Sequence, residues 1–250
     1  MRAIILAAGQ GVRLKPLTDD VPKCLVPFRG RPILDGLLAA LRASAVTDVA
    51  VVTGYRADAL RGRGLTLRHN ADYASTNMVH SLFCAEDLLE GDDVLIVYGD
   101  VLVRPALLRG FCEHEAPIAV AVNTKWRELW SLRMADPLAD AETLKLDADG
   151  CIVELGKKAR SYADIQGQYM GLIRIARGAL PRIVDFYRTM DRTKTYDGKD
   201  FRNMFMTSFL QAIIDGLMPI RAVPLAGGWL EIDSLSDLGA YEKLPADFLD

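Results

Sequence analysis

Short apolar runs alternate with amphipathic stretches through most of the chain. Ile4-Ile5-Leu6-Ala7-Ala8 stops at Gly9 and reads as a buried strand. Residues 33–43 place Leu34, Leu37, Leu38 and Leu41 at helical spacing, with Asp35 and Arg42 facing outward. The valine-rich residues 48–53 end at Gly54-Tyr55 as a second buried strand. A short helix or turn over 55–63 leads to a brief third strand at 66–68. Beyond a polar, turn-prone segment, 78–89 read as a helix that Ser75 or Thr76 can cap. Residues 93–98 form the most apolar strand, 105–115 an amphipathic helix and 118–122 another strand. A hairpin spans 144–152 and turns at Asp149-Gly150. Residues 168–173 return to the sheet, where Gly171 suggests a close backbone approach to a ligand. Helices over 181–190 and 205–215 flank a polar, mobile loop at 191–202, and a last helix starts near Ser236. This alternation predicts an α/β fold built on a Rossmann-like, doubly wound, mostly parallel sheet. Ligands of such sheets sit outside the carboxyl ends of the strands.

Composition narrows the picture. The 250 residues fit one large domain with a modest insertion and can bury a core without disulfides or structural metal. No repeat, low-complexity tract or linker divides them, so 1–250 reads as a single domain. A change of composition around 124–172 marks an inserted substrate-binding subdomain. A formal net charge of −3 argues against a nucleic-acid partner. Cys24, Cys84, Cys112 and Cys151 have no metal-ligand spacing and read as reduced packing thiols. No stretch is apolar and long enough to span a bilayer, and the run after Arg2 is too short for a signal peptide. A cytoplasmic protein without a membrane partner is the expectation; the oligomeric state stays open.

The candidate chemistry gathers behind the first strand. Gly9 and Gly11 permit positive φ and keep no Cβ between the backbone and a ligand. Backbone N–H groups in such a turn form a nest for phosphate oxygens. Arg13 adds a planar, permanently charged fork, and Lys23, between Pro22 and Pro27, a point charge for a second phosphate. A Walker loop is excluded because no Gly-Lys-Ser/Thr follows, and a dinucleotide fingerprint because the third glycine is missing. Asn77 and Ser81, near a helix start, offer the donor and acceptor groups that reading a base edge requires. Asp100 follows the most apolar strand, where a carboxylate can meet a metal beside the phosphate loop. Trp126, Trp130 and Arg133 crowd with Asp136, Asp140 and Glu142, a mixture suited to a cationic substrate.

Three strings carry a family resemblance. Leu6-Ala-Ala-Gly-x-Gly-x-Arg-Leu-x-Pro-Leu-Thr, Pro22-Lys-Cys-Leu-Val-Pro and Gly30-Arg-Pro-Ile-Leu together resemble the signature of nucleoside-triphosphate transferases that make activated sugars and alcohols. Asn77-Met-Val-His-Ser-Leu82 and the Trp126–Glu142 cluster resemble the choline-phosphate cytidylyltransferase branch. The Gln-x-x-Pro-x-Gly-Thr loop of hexose-1-phosphate enzymes is not matched. The resemblance implies a nucleoside triphosphate, CTP by expectation, held by Leu6, Ala7, Ala8, Gly9, Gly11, Asn77, Ser81 and Gly99. It implies Arg13 and Lys23 as the catalytic cations, and Mg²⁺ on Asp100 and on Asp233 of the Trp229-x-Glu-Ile-Asp segment. It implies a small phosphorylated acceptor, phosphocholine or a similar phospho-amino alcohol or phospho-amino acid. That acceptor is expected among Trp126, Trp130, Asp136, Asp140, Glu142, Lys157, Tyr169 and Trp229, with pyrophosphate as the leaving group. Two alternatives are a sugar-1-phosphate enzyme using UTP, dTTP or GTP, and a non-catalytic nucleotide sensor.

Overall fold

The computed structural model describes residues 1–249. Its centre is a seven-stranded sheet in the order Arg221–Leu225, Ile118–Asn123, Gln168–Ile175, Val94–Tyr98, Arg2–Ala7, Asp48–Thr53, Thr66–His69. Gln168–Ile175 runs antiparallel to both neighbours and every other pair is parallel. Parallel sheets need both faces covered, which is why the central strands are continuous apolar runs. Each residue of Val94–Tyr98 and of Ile118–Asn123 is buried. The doubly wound, mostly parallel sheet read from the sequence is the one observed.

The helix Ile33–Ala43 turns Leu34, Leu37 and Leu41, none with any exposed surface, into the core. It packs against the strand Val101–Val103 and the helix Pro105–Cys112. Val101–Val103 pairs antiparallel with Trp229–Glu231 in a small ribbon beside the main sheet. The chain leaves the sheet after Asn123 and re-enters it at Gln168, the residue paired with Asn123. Between them lie the helix Trp126–Arg133 and the hairpin strands Glu142–Leu146 and Ile152–Lys158. Gln168 pins this excursion at its root: Nε2 donates to Glu142 O at 2.6 Å and Oε1 accepts Glu142 N–H at 3.1 Å. The hairpin rests on the helix Met206–Gly216, where Gln211 Oε1 accepts Leu155 N–H at 2.8 Å. Among the described residues no helix is long and apolar enough to cross a membrane.

Three local expectations are corrected. The helix expected over 78–89 is only Met78–Phe83, followed by a 3₁₀ turn at Glu86–Leu88. Its cap is Asn77, whose Oδ1 accepts Met78 N–H at 2.8 Å, and not Ser75 or Thr76, which belong to the preceding turn. Gly171 does allow a close approach, at φ +67°, but an added Cβ would lie 2.7 Å from the Tyr98 ring, so the neighbour is a side chain of the protein and not a ligand. The polar stretch 191–202 is a loop, as read from the sequence, and carries its own turns, including reciprocal Tyr196 and Lys199 backbone bonds at 2.7 and 3.0 Å.

Candidate active site

The site is assembled at the carboxyl ends of the neighbouring strands Arg2–Ala7 and Val94–Tyr98. After Ala7 the chain turns through Gly9 and Gly11, and Gly11 holds φ +62°. A Cβ there would stand 2.9 Å from Lys23 Cβ, so the glycine serves both the turn and the approach of the lysine. Thr18 Oγ1 donates to Gly11 O at 2.9 Å and closes the loop. The 3₁₀ turn Val12–Leu14 buries Leu14 and leaves Arg13 at the surface. Lys23 starts a second 3₁₀ turn whose Cys24 is buried, and the Lys23 side chain lines the cavity behind the first strand.

Two distant carboxylates complete this centre. Asp100 follows Val94–Tyr98 and Asp233 follows Trp229–Glu231. The ribbon register sets Glu231 opposite Val101, and Ile232 N–H donates to Asp100 O at 2.9 Å, locking the two acid-bearing segments together. Lys23 Nζ sits between them, 2.5 Å from Asp100 Oδ2 and 2.6 Å from Asp233 Oδ1. Arg13 Nη2 pairs with Asp233 Oδ2. Burial works against the Lys23 charge, but the two carboxylates outweigh it and hold the ammonium protonated well above the ordinary lysine range. Asp100 Oδ1 is buried and has no hydrogen-bond partner among the described residues. A cavity of about 240 Å³ joins all of these groups to Leu6, Ala7, Ala8, Gly9, Gly11, Asn77, Ser81 and Gly99.

The donor set suits a hard dication. Mg²⁺ is commonly held by one or two carboxylates with phosphate oxygens and water filling its other positions. Asp100 and Asp233 supply two carboxylates, and the orphaned Asp100 Oδ1 is an acceptor whose burial otherwise has no return. Among the described residues no cluster of three or more histidine, cysteine or acidic side chains forms an all-protein cage.

A second cavity of about 290 Å³ opens beside the first and shares Asn77 and Met78 with it. Its polar wall is acidic, with Asp140, Glu142 and Glu231, and Tyr98, Trp130, Tyr169 and Phe205 provide rings. No lysine or arginine is among its described lining residues. Trp130 Nε1 donates to Asp140 Oδ2 at 2.9 Å and fixes that carboxylate to the wall. Glu142 is open to solvent on one side, yet its carboxyl is pushed up to about 6 by lost hydration, then by Asp140 and Asp197. Glu231 is raised too, first by burial and then by the Asp100 charge. Asp140 and Glu142 repel one another on the wall of this cavity, a repulsion that a bound cation would relieve.

Four residues expected around the acceptor do not line this cavity: two are packed away from it and two hold other partners. Trp229 is 1% exposed and stacks on Trp130, ring centroids 6.3 Å apart, beneath the wall. Trp126 is buried edge-on against Trp130 and beside Tyr162. Asp136 caps the turn Pro137–Ala139 by accepting Leu138 N–H. Lys157 pairs with Asp197. Trp130, Asp140, Glu142 and Tyr169 do line the cavity. Missing from the sequence reading were Glu231, and Tyr73 and Thr76 in the first cavity. Glu231 ends the strand Trp229–Glu231, two residues before Asp233, but faces the second cavity while Asp233 faces the first. Tyr73 and Thr76 sit on a turn with no periodicity and gave no signal.

Comparison with known proteins follows this geometry. Residues 3–162 match the model of the MobA-like NTP transferase domain. The chain is 43% identical to the CTP:phosphoglutamine cytidylyltransferase of Campylobacter jejuni over 248 residues, covering 95% of this chain and 98% of that protein. It is 25% identical to the 2-aminoethylphosphonate cytidylyltransferase of Lancefieldella rimae over 246 residues, 96% of this chain and 91% of that one. The solved phosphocholine cytidylyltransferase of Streptococcus pneumoniae superposes with a TM-score of 0.68 at 21% identity, over 97% of each chain, a likeness of fold.

Proposed function

The chain belongs to the MobA-like NTP transferase family, and on that premise we propose that it is a Mg²⁺-dependent cytidylyltransferase for a small phosphorylated acceptor bearing an ammonium group. One observation carries the reading: a cavity lined by Arg13 and Lys23 adjoins a cavity lined by three carboxylates and no described cation. A phosphate finds its counter-charge in the first and an ammonium in the second, one small molecule apart. The 43% identical relative, named for phosphoglutamine, favours CTP and a phosphorylated amino acid over phosphocholine.

The chemistry needs no nucleophilic side chain. An acceptor phosphate oxygen, already anionic at neutral pH, attacks the α-phosphorus; the bond to the β-phosphate oxygen breaks and pyrophosphate leaves. The Gly9–Gly11 turn and Asn77 orient the nucleotide, and Asp140 and Glu142 orient the acceptor by its ammonium. Arg13 and Lys23 meet the charge that builds on the phosphates. Mg²⁺ on Asp100 and Asp233 would supply further charge neutralisation to the triphosphate.

A pyrophosphate-release screen of the four nucleoside triphosphates against phosphorylated amino acids, amino alcohols and hexose 1-phosphates tests the reading. Release with CTP and an ammonium-bearing acceptor supports it. Release with UTP, dTTP or GTP and a hexose 1-phosphate alone contradicts it, and nucleotide binding with no release under any pairing points to a sensor.

A pH dependence follows. Glu142 must be ionised to attract an ammonium, so the acceptor KM is expected to rise as pH falls through about 6 while the CTP KM changes less. The raised value also means that the folded chain holds this proton more tightly than the unfolded one. The Glu142 contribution to stability is therefore full below the ordinary glutamate range and lost as pH rises through about 6. In Glu142→Gln the low-pH rise in acceptor KM should be blunted; a rise equal to that of the wild type assigns it to another group.

A further inference from the structure

Arg133 ends the helix Trp126–Arg133, inside the insertion, with its side chain 5% exposed. Burying a guanidinium is costly unless its charge is met. It is met from the far end of the chain: Nε donates to Asp237 Oδ1 at 2.9 Å and Nη2 to Asp237 Oδ2 at 3.4 Å. Asp237 forms a capping box with Ser234 at the start of the helix Leu235–Tyr241. A cap alone does not require a buried arginine. A second capping box among the described residues, Ser161 with Asp164, works at the surface with a lysine ammonium 3.5 Å away.

Asp237 also does more than cap. Its Oδ2 accepts Ser234 N–H at 2.8 Å and, outside the helix, Asp233 N–H at 3.0 Å. One carboxylate thus fixes the backbone on which Asp233 rides. The remaining face of Arg133 looks toward the acid cavity. Its Cζ lies 5.1 Å from the Trp130 ring centre, and Nη1, buried and without a hydrogen bond among the described residues, stands 3.7 Å from Glu231 Oε2. Trp130 in turn holds Asp140.

We propose that Arg133 is a positioning residue that acts through Asp237 on the Asp233 segment and through Glu231 and Trp130 on the acceptor wall, so that the two halves of the site are held as one unit. The inference rests on the reading of Asp100 and Asp233 as the holders of Mg²⁺. Arg133 touches neither substrate. It sets where the Asp233 carboxylate stands relative to Asp140 and Glu231, and with it the distance over which an acceptor must reach.

Two variants probe it. Arg133→Lys keeps the charge but cannot span Asp237 with a planar fork. Asp237→Asn keeps an oxygen for the two backbone N–H groups but not the charge that Arg133 bears on. CTP binding is titrated calorimetrically at increasing Mg²⁺, and turnover is measured well below each melting midpoint. Each variant is expected to bind CTP without Mg²⁺ like the wild type, yet to need roughly 10–100 times more Mg²⁺ for half-maximal tightening and to lose kcat by a similar factor. The double variant should fare no worse than the poorer single, because both act along one path. If Arg133→Lys does not fold, Asp237→Asn carries the same comparison. A wild-type Mg²⁺ midpoint and kcat in the folded variants, or losses that multiply in the double, overturn the inference alone. Wild-type protein whose CTP binding ignores Mg²⁺ overturns the reading of the cation site, and the inference with it.

Discussion

Asp100→Asn is expected to lower kcat by about 10²–10³-fold while the melting temperature stays within a few degrees of wild type. The loss is large because Asp100 contributes half of the carboxylate charge at the site, and an amide of the same shape cannot replace it. The fold tolerates the change because Lys23 keeps its 2.6 Å contact to Asp233 and is not left unpaired. Lys23→Ala should behave differently. It leaves Asp100 and Asp233 facing one another without their shared cation, so the protein should melt earlier in EDTA and recover part of that loss when Mg²⁺ is added. The pair is checked by steady-state kinetics and by melting curves with and without Mg²⁺. Near-wild-type turnover in Asp100→Asn, together with a Lys23→Ala melting point that ignores Mg²⁺, would return both acids to a purely structural role.

The second large effect belongs to the acceptor wall. Asp140→Asn combined with Glu142→Gln should raise the acceptor KM by roughly 10–100-fold, the equivalent of losing one charge-assisted contact of about 1.5–3 kcal/mol, and leave the CTP KM within about twofold. Asparagine at 140 still offers an oxygen to Trp130 Nε1, so the wall keeps its shape and the lost term is charge. Trp126→Leu is the control. Trp126 is buried in aromatic packing away from the cavity, so its loss should appear in the melting curve and scarcely in either KM. Equal increases in both KM values for the acid pair would place Asp140 and Glu142 outside the acceptor's reach.

The legibility of this chain depended on how local each signal was. The phosphate loop was readable because turn, glycines and cations follow one strand within about twenty residues, and the sheet then carries them to one cavity. Asp100 and Asp233 lie far apart in sequence, and only the ribbon between Val101–Val103 and Trp229–Glu231 brings them together. Their pairing therefore came from resemblance and not from spacing. The insertion was read as a mixture of rings and acids, but a mixture does not say which members face inward. Trp126 and Trp229 went to packing because a large ring gains most by full burial. Asp136 went to a cap and Lys157 to Asp197, both partners invisible in composition. The link from Arg133 to Asp237 spans 104 residues between two small helices, and no local pattern announces it.

The most direct test of the account is the product formed from CTP labelled at the α-phosphorus, incubated with Mg²⁺ and a matched pair of phosphorylated acceptors that differ only in an ammonium or an uncharged isostere. The account predicts that the label moves, as CMP, onto the ammonium-bearing acceptor with one pyrophosphate released per transfer, and that the isostere is a poor substrate. Label found only in unreacted CTP, or carried equally well by the uncharged isostere, would contradict it.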